Sequence, residues 1–400
     1  MRVLVTGGAG FIGSHVVDAY IQAGHEVWVL DDLSRGKREQ VNPHARFIRM
    51  DLRSPGLGEL LAEGNFDCIN HHAAQIDVRV SVVDPARDVT INIVGTLNLL
   101  EAARAHGIAR IIFASTGGAI YGTQRHFPAT EQHPTAPLSP YGVSKLAVEH
   151  YLEYYRQVHG LRYVVLRYAN VYGPRQDPEG EAGVVAIFCG KILRGQRLII
   201  YGDGEQTRDY VYVGDVARAN LLALRHLMGV IESVPLASRL QLAAGSELGS
   251  ASSEPPNCRT AEPPAGASHA DRSNIRTVER SNSRTSFAET NSITPWTPWT
   301  PWTQQLNNVF NVGTGIETSV NALASMLLDA ADADCPIVYA PARPGEQARS
   351  VIDPSRAAQV LGWIPLTPLA EGLTQTLAWF RSKELASSGQ LAAGSILKAS

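Results

Sequence analysis

A tyrosine and a lysine stand four residues apart, at Tyr141 and Lys145, in a helical pattern that runs to about His159. Residues at this spacing share one face of a helix. A tyrosine normally keeps its proton near neutral pH, but an ammonium group beside it favours the phenolate. The pair is therefore a candidate general base that removes a proton from an alcohol. An ordinary exposed tyrosine–lysine pair on a helix is the alternative interpretation.

Two hydroxyl side chains, Ser115 and Thr116, follow an apolar run from Arg110 to Ala114 that predicts a strand. A hydroxyl at the end of this strand is a candidate hydrogen-bond donor to the same substrate oxygen that the tyrosine deprotonates. The residues alone leave open whether Thr116 or Ser115 takes this role.

A glycine-rich turn near the amino terminus predicts a cofactor site. Residues 2–5 have the pattern of a buried parallel strand, and a helical pattern follows from Ile12 to Ala23. Glycines at Gly7, Gly10 and Gly13 suit a tight turn, the close approach of a pyrophosphate and tight helix packing on the sheet. The free N–H groups at the helix start would form an anion site. A purely structural glycine turn is the alternative.

An acidic residue, Asp31, ends a second predicted strand that runs from Glu26 to Leu30. It follows Gly13 by eighteen residues, where a carboxylate is expected to meet a ribose 2′-hydroxyl. This acid favours NAD over NADP because it would repel a 2′-phosphate, although Arg35 and Lys37 lie close enough to weaken the preference. The predicted cofactor is therefore NAD.

Strand and helix patterns alternate up to about Phe113, which predicts a parallel sheet with helices on both faces. Further strands are predicted at 47–50 and 68–74, and a long amphipathic helix from Ile91 to His106. Ligands of such sheets bind beyond the carboxyl ends of the strands. One crevice is therefore expected to gather the residues at those ends. They are Gly7, Asp31, Asp51, Ala73 and Ser115.

The composition narrows the class of protein. Four hundred residues with 44% hydrophobic content allow two domains, or one large domain with a lobe. A net charge of -3 gives no reason to expect nucleic-acid binding. The four cysteines are far apart, and His71 and His72 lack a third ligand at a suitable spacing, so no metal site is predicted. We expect a cytoplasmic protein with neither a signal peptide nor a membrane span.

Together these motifs resemble those of the extended short-chain dehydrogenase/reductase family. The turn from Thr6 to Gly13, the hydroxyl strand end and Tyr141 to Lys145 match it, as do the segments from Arg167 to Arg175 and from Thr207 to Val211. Within this family the chain is most similar to the UDP-glucose 4-epimerase group, over roughly residues 1–228 and 307–381. The resemblance implies an α/β fold, a doubly wound parallel Rossmann sheet with a smaller C-terminal substrate lobe.

The resemblance also implies a division of the chain. Residues 1–175 would form the NAD-binding Rossmann domain, and residues 176–228 and 307–381 a substrate-binding lobe with elements that return to the core. Residues 229–306 are a low-complexity insertion, which we expect to be disordered because it cannot bury enough apolar surface. Its tryptophans suit a partner-binding tether, but a neutral insertion of repeated sequence is favoured. Residues 382–400 are expected to be a flexible tail.

Site residues can be assigned from the resemblance by position. Thr116, Tyr141 and Lys145 fall on the family's catalytic triad. Residues expected at the NAD site are Gly7, Gly10, Phe11, Ile12, Gly13, Asp31, Asp32, Asp51, Leu52, Ala73, Ala74, Asn92, Ser115, Tyr141 and Lys145. For Asp51, a helix cap or a solvated loop acid is the alternative. Those expected to bind the nucleotide sugar are Thr116, Asn170, Arg208, Arg343 and Glu346. The arginines suit a diphosphate by charge and fork geometry, and surface salt bridges are their alternative.

The implied activity is NAD-dependent epimerisation at C4 of a UDP-hexose, of the UDP-glucose/UDP-galactose type, in a homodimer. Hydride leaves C4, the 4-keto sugar rotates, and hydride returns to its other face. Related dehydratases carry an acid pair after the strand-end hydroxyl, whereas Gly117 and Gly118 stand here. Ser350 would leave room for an N-acetyl group. Alternatives are a UDP-glucuronate 4-epimerase, another nucleotide-sugar enzyme of this family such as a decarboxylase, or a non-catalytic NAD sensor, against which the intact triad argues.

Overall fold

A computed structural model describes residues 1–178, 183–230, 306–342 and 347–396, with the side chains of residues 306 and 386–396 excepted. Nearly all of the predicted insertion, including its tryptophans, lies outside these residues, as do Arg343 and Glu346. Within the described ranges no helix combines the length and apolar character needed to cross a membrane.

A seven-stranded parallel sheet forms the centre of the protein. Its strands are β1 (Arg2–Thr6), β2 (Glu26–Asp31), β3 (Arg46–Arg49), β4 (Cys68–His71), β5 (Arg110–Thr116), β6 (Arg162–Tyr168) and β11 (Val309–Val312). They lie in the order β11-β6-β5-β4-β1-β2-β3. The chain therefore builds the sheet outward from β1 in both directions, and the switch point between β1 and β4 is where such sheets bind ligands. The predicted α/β class and doubly wound parallel sheet are confirmed.

Helices cover both faces of this sheet. Helix α1 (Phe11–Gln22) and helix α9 (Val213–Met228) pack on the face to which Val3 and Val5 point. The intervening Leu4 points to the other face, as the two-residue period of a strand requires. That face carries α2 (Leu57–Gly64), α5 (Gly95–Ala105) and α7 (Pro140–His159). Helix α9 comes from the segment that the sequence assigned to the lobe, but it packs on the central sheet.

A second hydrophobic core forms the lobe. Its helices are α8 (Val184–Leu193), α10 (Val320–Ala331) and α11 (Leu369–Ile396), and its parallel strand pair is β8 (Leu198–Tyr201) with β13 (Ile337–Ala340). Phe188, Leu323 and Leu373, one from each helix, are buried together. Helix α11 continues past residue 381, where the sequence placed the start of a flexible tail.

Several further strands and helices are short. The strands are β7 (Asn170–Tyr172), β9 (Thr207–Arg208), β10 (Tyr210–Tyr212), β12 (Thr318–Ser319) and β14 (Arg349–Ser350), and the helices are α3 (Val78–Val83), α4 (Pro85–Val89) and α6 (Gly117–Ile120). The buried carboxylate of Asp209, between β9 and β10, accepts hydrogen bonds from the backbone N–H groups of Thr314 and Gly315. It thereby ties this junction to the turn after β11.

Two elements begin or end differently from the sequence-based expectation. Strand β4 stops at His71, three residues early, because the backbone N–H of Ala73 turns toward the hydroxyl of Thr6 at 3.2 Å. The predicted helix 91–106 begins as a π-helical turn, Thr90–Val94, before it becomes α5. Widened turns of this kind are frequent at functional sites.

A buried ion pair links α7 to the central sheet. The Arg167 guanidinium lies 2.6 Å from the Glu149 carboxylate, and both side chains are less than a tenth exposed. Arg167 also donates to the hydroxyl of Tyr121 at 3.0 Å, and that hydroxyl donates to Asn311 of β11. Four segments distant in sequence are therefore held by one buried polar network.

Removal of one partner of this ion pair should be strongly destabilising. Arg167→Met leaves the Glu149 carboxylate buried without its cation, so we expect a loss of about 3–5 kcal/mol in the free energy of unfolding, measured by urea denaturation. The control is Arg104→Met, which removes the exposed ion pair with Glu101 and should cost less than about 1 kcal/mol. Equal losses in the two variants would contradict a structural role for the buried pair.

Candidate active site

A cleft of about 680 Å³ opens between the central sheet and the lobe. The carboxyl ends of β5 and β6 and the first turn of α1 form one side of it, and Arg208 and Ser350 of the lobe contribute to the other. It brings together many of the residues predicted from the sequence. They are Gly10, Phe11, Ile12, Ser115, Thr116, Tyr141, Asn170 and Arg208.

The glycine turn has the geometry of an anion cradle. Gly7 has a φ of +70°, and a Cβ there would lie 2.6 Å from the backbone nitrogen of Ala73. A Cβ on Gly13 would lie 2.2 Å from the carbonyl oxygen of Gly7. Gly10 caps α1 without a side chain, so the first N–H groups of the helix remain directed at the cleft. Glycine at these positions lets backbone and helix dipole approach a ligand closely.

Asp31 lies at the end of β2, directly beside this turn. Its carboxylate accepts from the backbone N–H of Ala9 at 3.0 Å and from that of Leu33 at 2.9 Å. Burial raises its pKa, against the lowering effect of those hydrogen bonds. The neighbouring Asp32 caps its own loop through the N–H of Ser34. Asp31 thus fixes the turn while its carboxylate remains at the sheet end where a ribose was predicted.

The other predicted cofactor residues occupy the ends of β3 and β4 without lining the cleft. Asp51 forms an ion pair with Arg53, whose hydrogen bond lowers the pKa of the carboxyl. Leu52 is buried, and its carbonyl accepts from Asn98. Ala73 and Ala74 follow β4. These positions share the carboxyl edge of the sheet with the glycine turn.

Asn92, in the π-helical turn, is engaged by the protein. Its Nδ2 donates to the carbonyl oxygen of Gln75 at 2.9 Å and to the Asp88 carboxylate at 3.0 Å. The other carboxylate oxygen of Asp88 accepts from the Ser144 hydroxyl of α7 at 2.6 Å. Both amide hydrogens of Asn92 are therefore used in joining the loop after β4 to the helix that carries the tyrosine–lysine pair.

The tyrosine–lysine pair lies at the start of α7. The hydroxyl of Ser139 accepts from the backbone N–H of Gly142 and caps the helix. Lys145 is buried, with its Nζ 5.9 Å from the Tyr141 ring centroid and 2.9 Å from the carbonyl oxygen of Ala114. Tyr141 lines the cleft, whereas Lys145 lies behind it in the protein interior.

Burial governs the charge of Lys145. It lowers the pKa of this ammonium to about 8, and the carboxylates of Asp88 and Glu149 oppose that shift. With a pKa of about 8 the lysine stays largely protonated at neutral pH, although burial favours its neutral form. A charged lysine next to Tyr141 is the condition that favours the phenolate.

The two strand-end hydroxyls differ in their surroundings. Ser115 is buried, and its hydroxyl donates to the Glu149 carboxylate at 2.6 Å. Thr116, at the last position of β5, is half-buried and lines the cleft. The proton of the Ser115 hydroxyl is thus already engaged, which favours Thr116 as the donor to a substrate.

The adjacent histidines lie deep beside the turn. His71 bonds to the hydroxyls of Thr6 and Thr96, and His72 to the hydroxyl of Tyr168. Burial holds the pKa of His71 well below its ordinary value and lowers that of His72 to about 3. Both are neutral, hydrogen-bonded groups.

Residues 3–232 match the model of the NAD dependent epimerase/dehydratase family. The chain belongs to this family. The resemblance seen in the sequence is thereby confirmed, and NAD is the cofactor.

Relatives in this epimerase/dehydratase family cover nearly the whole chain. It is 38% identical over 380 residues to a putative UDP-glucose 4-epimerase of Methanocaldococcus jannaschii, over 95% of this chain and 98% of that protein. A solved UDP-glucose 4-epimerase of Thermotoga maritima, with UDP-glucose, has a TM-score of 0.74 and 39% identity, covering 96% and 99% of the two chains. One of Thermus thermophilus, in complex with NAD, has a TM-score of 0.71 and 39% identity, covering 95% and 99%.

The residues present fit the family's cofactor. The side-chain-free cradle at Gly7, Gly10 and Gly13 admits a pyrophosphate, and Asp31 at the next strand end supplies a carboxylate for a ribose. Sequence reasoning missed the support beneath this site, namely Asp88, Glu149 and Arg167. The signal for Glu149 is its position four residues after Lys145, among the buried positions of α7.

The buried ammonium predicts a pH-dependent contribution to stability. The pKa of Lys145 is about 8 in the folded protein against an ordinary value of 10.5. Between these pH values the unfolded chain holds the proton and the folded protein does not, so the free energy of unfolding rises with pH. Over the window this amounts to about 3 kcal/mol.

Lys145→Met isolates this contribution, because other groups that titrate in the same range remain in both proteins. From pH 7 to pH 10.5, the stability of K145M relative to the unsubstituted protein should fall by about 3 kcal/mol in urea denaturation of NAD-free samples. Lys383→Met, at an exposed position of α11, is the control and should keep a constant difference. A constant difference for K145M as well would mean that Lys145 titrates normally.

Proposed function

We propose that this protein inverts the configuration at C4 of a UDP-hexose, with UDP-glucose and UDP-galactose as the primary pair. The proposal rests on one observation: Tyr141 and Thr116 line the same cleft as the glycine cradle, with the Lys145 ammonium 5.9 Å from the tyrosine ring. It is supported by the UDP-glucose and NAD found with solved relatives.

Each residue has a separate task in this reaction. Tyr141, as a phenolate, takes the proton from the C4 hydroxyl and later gives it back. Lys145 stabilises the phenolate by its charge, and Thr116 donates a hydrogen bond to the same sugar oxygen. When bound, NAD supplies a reversible hydride acceptor, so C4 passes through a ketone and regains hydride on its other face after the sugar rotates.

The nucleotide end of the substrate would be held by the lobe. Arg208 lines the cleft, and its backbone neighbour Asp209 is fixed by four hydrogen bonds to the turn after β11 and to Ile352. Asn170, at the start of β7, lies on the cleft wall. Binding energy from the diphosphate is the same for either sugar face, which leaves the hexose free to turn. Arg343 and Glu346 remain predictions from the sequence.

The identity of the sugar is the least constrained part of the proposal. Ser350 is buried at the cleft wall and leaves space that an N-acetyl group would fill. Gly117 and Gly118 replace the acids that a dehydratase requires. NMR of mixtures with UDP-glucose, UDP-galactose, UDP-N-acetylglucosamine and UDP-glucuronate tests this directly. C4 inversion of the first two supports the proposal; inversion of UDP-glucuronate alone would favour the uronate alternative, and none at all an NAD sensor.

Loss of the Tyr141 hydroxyl should abolish turnover without loss of the cofactor. In Tyr141→Phe we expect bound NAD to be retained and C4 inversion to slow by about 10²- to 10⁴-fold, because the general base is gone. Tyr154→Phe removes the same atom from an exposed tyrosine of α7 and should leave the rate unchanged. Near-normal turnover in Y141F would remove Tyr141 from the catalytic role.

Loss of the Thr116 hydroxyl should affect turnover, whereas loss of the Ser115 hydroxyl should affect stability. Thr116→Val should lower kcat by about tenfold or more with stability preserved, because it deletes a hydrogen bond to the reacting oxygen. Ser115→Ala should lower the free energy of unfolding by about 1–3 kcal/mol, since Glu149 loses a buried donor. Rates from coupled UDP-galactose assays and urea denaturation measure the two effects. The reverse pattern would assign the catalytic hydroxyl to Ser115.

We further propose a homodimer formed through α7. Val143, Tyr151, Tyr154 and Val158 are exposed apolar or aromatic residues at helical spacing along this helix. Such a stripe is typical of a helix that packs against another subunit.

Charges placed in this stripe should prevent association. The double variant Tyr154→Glu and Val158→Glu should be monomeric in size-exclusion chromatography with light scattering, because dimerisation would bury two carboxylates per subunit. Leu366→Glu, at an exposed apolar position outside the stripe, is the control and should remain dimeric. A dimeric double variant would place the interface elsewhere.

A further inference from the structure

The segment that follows β7 is fastened to the Rossmann half by its backbone. The carbonyl oxygen of Pro174 lies 2.9 Å from Nε2 of His15 on α1, and that of Arg175 accepts from the Gln40 side chain at 3.2 Å. A carbonyl only accepts, so His15 carries its proton on Nε2. Burial lowers the pKa of His15 to about 4, which keeps the ring neutral. These bonds hold the segment across the side of α1.

Arg175 has an unfavourable backbone conformation. Its φ is +70°, in the left-handed region where a side chain is disfavoured and glycine is the usual residue. Conformations of this kind persist where the surroundings impose them, and they cluster at ligand sites. An arginine side chain here therefore calls for an explanation that the turn itself does not provide.

The two terminal nitrogens of the Arg175 guanidinium differ, since one is ion-paired and the other has no acceptor among the described residues. A terminal nitrogen lies 2.7 Å from the carboxylate of Asp18 on α1. The other terminal nitrogen, Nη1, is inaccessible to solvent and has no hydrogen-bond acceptor among the described residues. An unpaired buried donor of a charged group is costly unless a ligand provides the acceptor. Arg175 itself lines the cleft.

We propose that Arg175 binds the diphosphate of NAD. In this proposal Asp18 orients the guanidinium, and the unpaired Nη1 donates a hydrogen bond to the cofactor. Arg175 shares its part of the cleft wall with the first turn of α1 and with Lys37, where an anion is favoured. Bidentate geometry makes a guanidinium well suited to a diphosphate. The inference rests on the family's cofactor and is independent of the proposed sugar chemistry.

The UDP moiety is the other diphosphate that enters this cleft, so the experiment separates the two. In Arg175→Met holoenzyme we expect bound NAD to exchange with labelled NAD at least about tenfold faster, since a charged hydrogen bond is lost. The affinity for UDP, measured by calorimetry on the same samples, should be unchanged. Arg46→Met, which removes a surface ion pair with Glu63, is the control and should alter neither quantity.

Asp18→Asn distinguishes a ligand-binding role of Arg175 from a purely structural one, in which the arginine only ties its segment to α1 through the ion pair with Asp18. It breaks the ion pair but keeps the arginine charge, so NAD exchange should stay within about threefold of the unsubstituted protein. Equal acceleration in D18N and R175M would reduce Arg175 to that structural role and overturn the proposal. So would unchanged exchange in R175M, or a loss confined to UDP affinity.

A conservative variant keeps the test available if R175M does not fold. In Arg175→Lys all three N–H donors are on one nitrogen, so the side chain lacks the two separate terminal nitrogens with which the guanidinium can span Asp18 and the diphosphate. NAD exchange should therefore accelerate at least about threefold, and an unchanged rate would again overturn the assignment. Because the measurement follows NAD and not sugar turnover, failure of C4 inversion in the unsubstituted protein would leave this result intact.

Discussion

A positive charge in an almost dry interior is the constraint on which the rest of this site depends. The Lys145 ammonium is buried, and burial lowers its pKa. Two carboxylates oppose that shift, and each of them is in turn hydrogen-bonded. Glu149 is held by Arg167 and Ser115, and Asp88 by hydrogen bonds from α7 and the loop after β4. The polar network beneath the cleft therefore surrounds the lysine that lies next to Tyr141.

The two hydrophobic cores support opposite walls of the cleft. The sheet, with helices on both faces, holds the glycine turn and the carboxyl ends of the strands at one wall of the cleft. The lobe has its own core around α8, α10 and α11 and contributes the opposite wall through β9 and β14. Asp209 and the ladder between β7 and β10 connect the halves on either side of the cleft.

Local chemistry explains what the sequence could predict. The glycine turn, the tyrosine–lysine spacing and the alternating strands are encoded within short stretches, and the predicted strands agree with the structure to within a few residues. The roles of Ser115, Glu149 and Arg167 are different, because their partners lie 18 to 34 residues away and meet only through packing. The π-helical turn at Asn92 likewise depends on Gln75, which belongs to another segment. The placement of α9 in the first core is also set by tertiary contacts.

Strand β11 sits at the outer edge of the sheet, paired with β6, although it follows β6 by about 140 residues in the chain. Leu227, near the end of α9, and Phe310, in β11, are buried in the same core. During synthesis the ribosome must therefore complete the residues between β6 and β11 before β6 can pair with its second neighbour, β11. Until then the nascent nucleotide-binding half carries an open strand edge, the kind of surface that chaperones shield and that promotes aggregation.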